Sequence, residues 1–550
     1  MRPEVLAQHK SDRTGLGGVL RTSFLTSREK PGFGALEAIV FAAYAALLAW
    51  TVAHHVPWVD EAQGWLVARD SSLIEIFRTR LHYEGAPGLW HLLLWFLARV
   101  GVSFTAMRWI TAVIPVAGIW VFLRYSPFPG IVRVILPFSF YLMYQYAAVS
   151  RNYILAPLLI FIIAVLFSNP ARNLLSLAVV MGLLSNLSAQ GLVLSAGFAL
   201  MIALRLWQSR KQGGQSVSWG RITGATICLC AFWAFSVWST RPVADDSYKT
   251  AWAITHGAGG AGSSKSAPGA SAGDESAVSS QATSSLRNHS AVRHAFERFE
   301  TNVTYGLSNF WPASLAIWCI VAAYLFFRKS ILDIAPLILL QLLFEFVAAR
   351  PWHLGMAFLG FIAVLWIDWP REGDRSEPAW RAILSAALLA VAAEQCFWTA
   401  RAIRTDVTGR YSGDKDAAAF LAPRIAGKTV AGFQYYSVGI LPYFPSNIYA
   451  NQPKQAFWFW TKYVHVDDRV METVQSHPDY IVVGFAVRAP DATGGSGAPT
   501  GDPQTFQPRI EREILATHKY AETHRFCGDA FSGHGYHEGL CQAILEPSAQ

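Results

Sequence analysis

Four short polar motifs interrupt the apolar stretches of this sequence, and they carry the residues whose types could do chemistry. They are Asp60-Glu61, His82 with Glu84, Arg151 with Tyr153, and Arg350 with His353. Charged side chains beside lipid are costly unless they are paired or used. A carboxylate can take a proton from a hydroxyl group, and an arginine can hold a phosphate through two parallel hydrogen bonds. The motifs therefore predict a reaction in which an acceptor is deprotonated and an anionic group is held.

The acidic pair Asp60-Glu61 follows directly after the first apolar segment. We interpret Asp60 as a general base that deprotonates an acceptor hydroxyl, a contribution typically worth about 10²–10⁴ in rate. Glu61 would orient the substrate or share that role. The alternative is a solvated loop that merely caps the helix following it.

The segment HYEGAPGLW contains His82 and Glu84 and leads into a short apolar run. One interpretation is a loop that faces the substrate. The other is a turn set by Gly85, Pro87 and Gly88, and the residues alone favour this second interpretation.

Two arginines stand where one apolar segment turns into the next. Arg151, with Tyr153 beside it, is suited to gripping a phosphate, although interfacial arginines also reach for lipid head groups. Arg350, with His353, lies in a turn that we expect on the outer face, where basic residues are few. We predict a phosphate clamp there for an anionic lipid-linked leaving group; pairing with Glu345 or with lipid phosphates is the alternative.

The composition predicts an integral membrane protein. The chain of 550 residues is 53% hydrophobic and only 15% charged, whereas a soluble domain carries about 25% charged residues. The net charge of +8 does not indicate nucleic-acid binding. Lysine and arginine fall in short clusters between apolar segments, which is the pattern that orients membrane helices, and no basic stripe with stacking aromatics occurs outside those segments.

The apolar segments predict about eleven transmembrane helices. They cover approximately residues 35–53, 107–123, 131–148, 151–168, 173–188, 190–207, 222–239, 308–327, 332–349, 354–369 and 382–399. A twelfth run, 87–101, is shorter. If it crossed the membrane, the basic pair Arg210-Lys211 would lie outside, so we predict that it forms an interfacial helix. This assignment places four polar motifs on the outer face: the Asp60-Glu61 loop and the turns at Ser150-Arg151-Asn152-Tyr153, Ser185-Asn186-Leu187-Ser188 and Arg350-Pro351-Trp352-His353.

The predicted fold is therefore mainly α-helical and has three parts. Residues 1–34 form a cytoplasmic basic tail, 35–400 a transmembrane helical bundle, and 401–550 a small extracytoplasmic α/β domain. The bundle includes an outer loop, 54–106, with interfacial helices. A second outer loop, 241–303, has a Gly/Ala/Ser-rich centre that cannot bury enough apolar area to fold alone.

Within the C-terminal domain, the sequence predicts one helix, two strands and a loop. They are a helix at Asp414–Leu421, strands at Thr429–Phe433 and Tyr480–Phe485, and a Gly/Pro-rich loop at 491–502. Cys527 and Cys541 lie in the same region and could form a disulfide if the region is extracytoplasmic. The histidines of this region show no zinc-site spacing.

Taken together, these motifs resemble those of the GT-C superfamily of integral membrane glycosyltransferases. More narrowly, the chain resembles bacterial members related to the protein O-mannosyltransferase and aminoarabinose transferase group. The resemblance covers roughly residues 35–400. It rests on Asp60-Glu61, on His82, Pro87 and Leu89-Trp90, and on Arg151-Asn152-Tyr153. Relatives often have consecutive prolines after the first loop, where this chain has Ala86-Pro87-Gly88.

The resemblance implies a GT-C-like bundle in the bacterial cell (inner) membrane, with the N-terminus in the cytoplasm. It implies an enzyme that moves a sugar from a polyprenyl-phosphate donor to a glycan, lipid or protein acceptor at the outer face. Asp60 would be the catalytic base with Glu61 beside it, and Arg151 and Arg350 would bind the donor phosphate. No cofactor is expected. A divalent metal, which some relatives need, is not favoured because there is one acidic pair and no second acidic cluster nearby.

Two other functions stay open. A transporter or flippase of lipid-linked saccharides would place charges near mid-bilayer, often in repeated halves, whereas these charges lie at segment ends and no repeat is found. A non-catalytic membrane scaffold would leave Asp60, Arg151 and Arg350 dispensable. The enzyme hypothesis requires Asp60 to lie close to at least one of the two arginines.

Overall fold

The computed structural model describes most of the chain, with gaps. The described residues are 31–213, 217–246, 299–300, 302–304, 306–346, 351–370, 377–461, 466–488, 499–531, 533 and 537–548. Most of the predicted basic tail, the centre of the predicted loop 241–303, most of the predicted loop 491–502 and Arg350 lie outside these residues.

The described part of the chain is mainly helical. Its α-helices of eight or more residues are α1 (Ala35–His54), α2 (Val59–Asp70), α3 (Leu89–Arg99), α4 (Phe104–Tyr125), α5 (Ala156–Leu166), α6 (Leu174–Ser185), α7 (Ala189–Lys211), α8 (Trp219–Ser239), α9 (Trp311–Phe327), α10 (Ala335–Phe346), α11 (Pro351–Ile367), α12 (Glu377–Thr408) and α13 (Asp414–Leu421). Between α2 and α3 the chain forms continuous helical turns, Leu73–Glu75, Ile76–Arg80 and Leu81–Glu84.

Five of these helices, α1, α4, α7, α8 and α12, are long and apolar enough to cross a membrane. A helix of 20 residues such as α1 is about 30 Å long, which matches the hydrocarbon thickness of a bilayer. The other predicted spans are shorter helices; α5 has 11 residues and α6 and α10 have 12 each. Helix length therefore supports several spans but does not establish about eleven.

The bundle has a fully enclosed centre and an apolar outer surface. Every residue of α11 from Leu354 to Ile367 is buried. On α8, by contrast, large apolar side chains are exposed, with Ile227 at 64% and Val237 at 57%. Extensive apolar surface is unfavourable in water, so the outer helices require an apolar environment such as lipid.

The predicted span 131–148 is not a single helix. It is divided into three short pieces, Gly130–Ile135, Leu136–Phe138 and Tyr141–Gln145. Pro137 lacks the N–H group that an α-helix interior needs. The last piece is a π-helical turn, a feature that often occurs at functional sites.

The ends of the helices gather in two layers. In one layer, Arg133 pairs with Glu37 at 3.2 Å, and Arg205 pairs with both Asp333 and Asp368 at 2.7 Å. The other layer joins the end of α1, the start of α2 and the end of α12 through buried ionic contacts. The predicted acidic pair belongs to this second layer, away from the basic clusters.

Helix α3 covers the run 87–101, for which we predicted an interfacial helix. It packs against α2, and its last residue, Arg99, donates hydrogen bonds to the backbone oxygens of Arg69 and Ser71. The apolar side chains of Leu92 and Phe96 on its other face are exposed. These contacts keep α3 beside α2, a helix of similar length.

The C-terminal domain contains a four-stranded sheet in the order β1-β2-β4-β3. The strands are β1 (Val430–Phe433), β2 (Tyr480–Arg488), β3 (Tyr520–Phe531) and β4 (His537–Pro547). β1 runs parallel to β2, and the other pairs are antiparallel. The predicted helix and both predicted strands are present, whereas β3 and β4 were not predicted. Cys527 and Cys541 face each other across these two strands and form a disulfide.

The two faces of the sheet belong to different cores, because side chains alternate along a strand. Val482 and Ile544 join the large core that continues into the helical bundle. Val483 and Ala543 point to the opposite face and join a separate core. The domain is therefore packed onto the bundle by one face. The predicted boundary at residue 400 falls inside α12, which continues to Thr408.

Candidate functional site

Asp60 lies in the first turn of α2, where the partial positive charge of a helix start favours a carboxylate. One of its oxygens pairs with Arg151 Nη2 at 2.8 Å. The other accepts a hydrogen bond from the hydroxyl group of Tyr435 at 3.1 Å. The Asp60 side chain is 21% exposed. One carboxylate is thus held between the bundle and the C-terminal domain, and it is still reachable by a small molecule.

Arg151 is surrounded by aromatic rings. Its guanidinium group lies 5.6 Å from the ring centre of Trp58, 5.3 Å from Trp352 and 6.0 Å from Tyr153. Such contacts hold a guanidinium group through attraction to the ring faces. Among the described residues, its buried Nη1 atom has no hydrogen-bond partner. Both N–H groups of this nitrogen are therefore unused beside the ion pair of Arg151 with Asp60.

Glu61 does not face the same space as Asp60. Its side chain is 0% exposed. Its carboxylate accepts hydrogen bonds from the backbone N–H of Ser150 at 2.7 Å and of Trp58 at 3.3 Å. Consecutive residues of a helix point about 100° apart, so one carboxylate of the pair enters the core. The predicted contact of Glu61 with substrate is corrected accordingly: Glu61 supports the site from within.

His55 connects Glu61 to the end of α12. Its Nε2 lies 3.1 Å from Glu61 Oε2 and its Nδ1 lies 3.0 Å from Asp406 Oδ2. A neutral imidazole can donate only one hydrogen bond, so two carboxylate partners require the doubly protonated form. Burial alone would lower the pKa of His55, but the charges of Asp406 and Glu61 outweigh it and raise that pKa to about 9.

The same cluster balances its charges internally. Burial would raise the pKa of Glu61, but His55 and its hydrogen bonds outweigh burial and lower it. Tyr144, from the π-helical turn, donates a hydrogen bond to Asp406 at 2.8 Å. Arg108 donates hydrogen bonds to the backbone oxygens of His55 and, at 3.2 Å, of Val52. Two buried cations therefore accompany two buried carboxylates beneath Asp60.

Glu84 reaches this region through Gln63. The Gln63 amide donates a hydrogen bond to Glu84 at 2.7 Å and exchanges two further hydrogen bonds with the backbone of Trp458, at 2.9 and 3.0 Å. Loss of hydration raises the pKa of Glu84 to about 7; the Gln63 hydrogen bond opposes this shift and the charge of Asp60 adds to it. A carboxyl group with this pKa exchanges protons readily at neutral pH.

The other predicted residues have different positions. The structure places Tyr153 in the core of the site, stacked on Tyr146 at 5.3 Å, and the ring of His353 lies 6.1 Å from that of Tyr153. His82 contacts the end of α8 instead: its Nδ1 lies 2.8 Å from the backbone oxygen of Arg241. His82 thus fixes its loop onto α8, which agrees with the interpretation of this segment as a structural turn. Arg350 lies outside the described residues.

Tyr435 is held by an unusual backbone. Gln434, the residue before it, has φ +64° and ψ 155°, a combination that costs a non-glycine residue free energy and is often found at functional sites. The Gln434 N–H donates a hydrogen bond to Asp467 at 2.8 Å, and the Gln434 oxygen accepts one from the Ser437 hydroxyl, also at 2.8 Å. These contacts set the direction of Tyr435. No local sequence pattern indicated Tyr435 or His55.

In the described part of the chain, no group of three or more His, Cys, Asp or Glu side chains has an arrangement that could hold a metal ion. Neither the protein-family models nor the curated proteins searched contain a significant match to this chain.

Proposed function

We propose that this protein is a membrane glycosyltransferase that moves a sugar from a polyprenyl-phosphate donor to an acceptor at the outer face of a bacterial inner membrane. The observation that carries the proposal is the contact between Asp60, Arg151 and Tyr435. These residues come from distant parts of the chain. A base and an anion-binding group thus lie side by side at the end of an apolar bundle.

The contacts of Arg151 suggest how the donor phosphate would enter. The phosphate would take the unused Nη1 donor and compete with Asp60 for Nη2, since guanidinium groups bind phosphate oxygens in pairs. Asp60, released from Arg151, would then be free to accept the proton of the acceptor hydroxyl.

The transfer itself would proceed in one displacement. Asp60 takes the proton of the acceptor hydroxyl, the hydroxyl oxygen bonds to the anomeric carbon, and the bond from that carbon to the phosphate oxygen breaks. The electron pair leaves with the polyprenyl phosphate, whose charge Arg151 stabilises. Preorganised charges of this kind are worth several kcal/mol in the transition state.

The orientation follows from the positive-inside rule. The layer that contains Arg205 and Arg133 would face the cytoplasm, and the layer that contains Asp60 would face outward. The chain would then cross the membrane about eleven times. The longer helices would shield the shorter ones from lipid. A sugar already attached to a lipid would meet Asp60 on the outer side without a nucleotide-binding site.

The test uses a strain that lacks the gene and carries either the wild-type protein or a variant. We expect Asp60→Asn, which keeps the shape and removes the charge, to lower transfer by about 10²–10⁴. The readout is mass spectrometry of cell-envelope glycans together with protein abundance in the membrane. Arg151→Lys should also lower transfer, because lysine cannot form the paired contact.

The matched control is Asp416→Asn. Asp416 forms a solvent-exposed pair with Arg410 on the C-terminal domain, so this variant should restore the glycan fully. Full restoration by Asp60→Asn would refute the base assignment. An envelope unchanged by loss of the gene would favour the scaffold, and an accumulated lipid-linked saccharide on the inner leaflet would favour the flippase.

A further inference from the structure

The segment Phe457–Trp460, which lies outside the helices and strands, has two aromatic sides. Arg80 lies 5.0 Å from the ring centre of Phe457 and 5.2 Å from that of Phe459. Trp458 and Trp460 contact Tyr435 instead, with ring centres 6.3 and 5.0 Å from it. Alternate side chains of the segment therefore have different partners.

The Trp458 side of this segment adjoins the proposed reaction centre. Tyr435, which contacts both indole rings, donates a hydrogen bond to Asp60. Both tryptophans are half-buried. An indole ring that keeps an accessible face beside a carboxylate can receive a flat ligand.

The position of this side is fixed by hydrogen bonds. Gln63, three residues after Asp60, binds both the N–H and the oxygen of the Trp458 backbone, and the backbone N–H of Ala456 donates to Asp70 at 3.2 Å. Both anchors lie on α2. An interfacial aromatic belt needs only that the rings point to lipid, whereas these anchors hold Trp458 against the element that carries Asp60.

We infer that Trp458 and Trp460, with Tyr435, form an aromatic platform beside Asp60. The three rings stand at 44°, 61° and 81° to one another, so the pyranose ring of a saccharide stacks on the face of one indole and meets the edge of the other. One face of a pyranose presents several C–H groups, which the negative face of an aromatic ring attracts. The hydroxyl groups at its rim can hydrogen-bond with neighbouring carboxyl groups such as Glu84. The ligand class in this inference rests on the proposed function.

Saturation-transfer NMR on the full-length protein in detergent tests the platform. The probes are the methyl glycosides of mannose, glucose and galactose, with sorbitol as a polyol that has no ring. We expect at least one glycoside to receive saturation, mainly at the C–H protons of one ring face, and sorbitol to receive none. The Trp458→Ala/Trp460→Ala protein should lose the signal at least tenfold.

Two further variants guard against unfolding. Trp458→Phe/Trp460→Phe keeps aromatic faces and should retain part of the signal, and Trp219→Phe, which changes an exposed tryptophan at the start of α8, should retain all of it. The platform would be refuted if no glycoside received saturation, or if the Trp458→Ala/Trp460→Ala protein gave the same signal as the wild type.

A farnesyl-phosphoryl glycoside of the sugar that binds then shows whether the bound pyranose ring belongs to the donor or to the acceptor. Displacement of the methyl glycoside assigns the platform to the donor sugar, and simultaneous binding assigns it to the acceptor. The Asp60→Asn protein separates this inference from the proposed function. If it binds the glycoside and still transfers sugar at the wild-type rate, the base assignment fails and the platform stands.

Discussion

His55 shows how one residue can hold a site together without touching the substrate. It lies between two buried carboxylates, one on α2 and one on α12. Removing one member of a buried ionic cluster leaves an uncompensated charge, which typically costs about 3–5 kcal/mol. Loss of His55 would therefore destabilise the junction of α1, α2 and α12, next to Asp60.

The pKa of His55 predicts a specific dependence of stability on pH. Because the folded-state pKa is about 9 and the ordinary value is about 6.5, the folded state binds more protons between these values. The stabilisation is complete below about pH 6.5, falls as the pH rises, and is lost above about pH 9, a change of about 3 kcal/mol. Thermal unfolding of the purified protein at pH 6, 7.5 and 9 measures it.

His55→Gln should lower the unfolding temperature at pH 6 and flatten this profile, since glutamine carries no charge. His54→Gln is the matched control, because the His54 ring bonds only to the backbone oxygen of Trp50 among the contacts resolved for it and lies near the surface. If the unfolding temperature of the wild-type protein did not change from pH 6.5 to 9, the charge assigned to His55 would be wrong.

For single residues, the sequence indicated which charged side chains lie at the ends of apolar runs, but not which way each side chain points. Asp60 and Arg151 were predicted because charges beside lipid need a use or a partner, and they do meet. Glu61 could not be separated from Asp60, because the turn that sends one carboxylate into the core depends on how α2 packs. Asp406 is 351 residues from His55, and no local pattern connects residues so far apart.

At the scale of elements, the turn Tyr435–Tyr443 connects the sheet to the carboxylate of Asp60. It lies directly on β2, at a position where only glycine fits. A Cβ atom at Gly484 would lie 2.1 Å from the backbone nitrogen of Ser437 and 2.4 Å from the carbonyl carbon of Tyr436. The contact with β2 therefore fixes the distance between this turn and the sheet. The turn in turn fixes the position of Tyr435.

Gly484→Ala tests this connection. We expect a loss of about 1–3 kcal/mol in unfolding free energy from overpacking, together with reduced transfer, because Tyr435 moves relative to Asp60. Thermal unfolding and the envelope-glycan assay measure the two effects. The control is Gly224→Ala, because this glycine faces open space on α8; it should leave stability and transfer unchanged. If Gly484→Ala also left both unchanged, the turn would be free to shift.

Elements were predictable where their pattern was regular. Long apolar runs identified α1, α4, α7, α8 and α12, and short β-branched runs identified β1 and β2. β3 was missed because its sequence, YAETHRFCGDAF, is largely polar and half-exposed, so it lacks the alternation of a half-buried strand. The helix interrupted at Pro137 was missed because surrounding apolar residues concealed the break.

At the scale of the whole molecule, the two layers of helix ends predict which surfaces reach which compartment. Lys415→Cys, exposed on the C-terminal domain, should react with a membrane-impermeant maleimide in intact cells. Lys211→Cys, exposed at the end of α7, should react only after permeabilisation. Labelling is detected by mass spectrometry of the purified protein.

The native disulfide provides an internal check on the same topology. A domain outside the inner membrane is in an oxidising compartment, where Cys527 and Cys541 would be found linked. Labelling of Lys211→Cys, rather than Lys415→Cys, in intact cells would reverse the orientation and place Asp60 on the cytoplasmic side.

The hydrogen bond between Asp60 and Tyr435 joins residues that are 375 positions apart. During synthesis at about 5–20 residues per second, roughly 20 to 75 seconds separate the appearance of the carboxylate from that of its hydroxyl partner. On the proposed topology, an inserted chain that lacks the last domain would have Arg151 but not Tyr435 to hold Asp60. The centre would be complete only after the last domain had been exported and had docked, so a half-made protein would be inert towards the lipids around it.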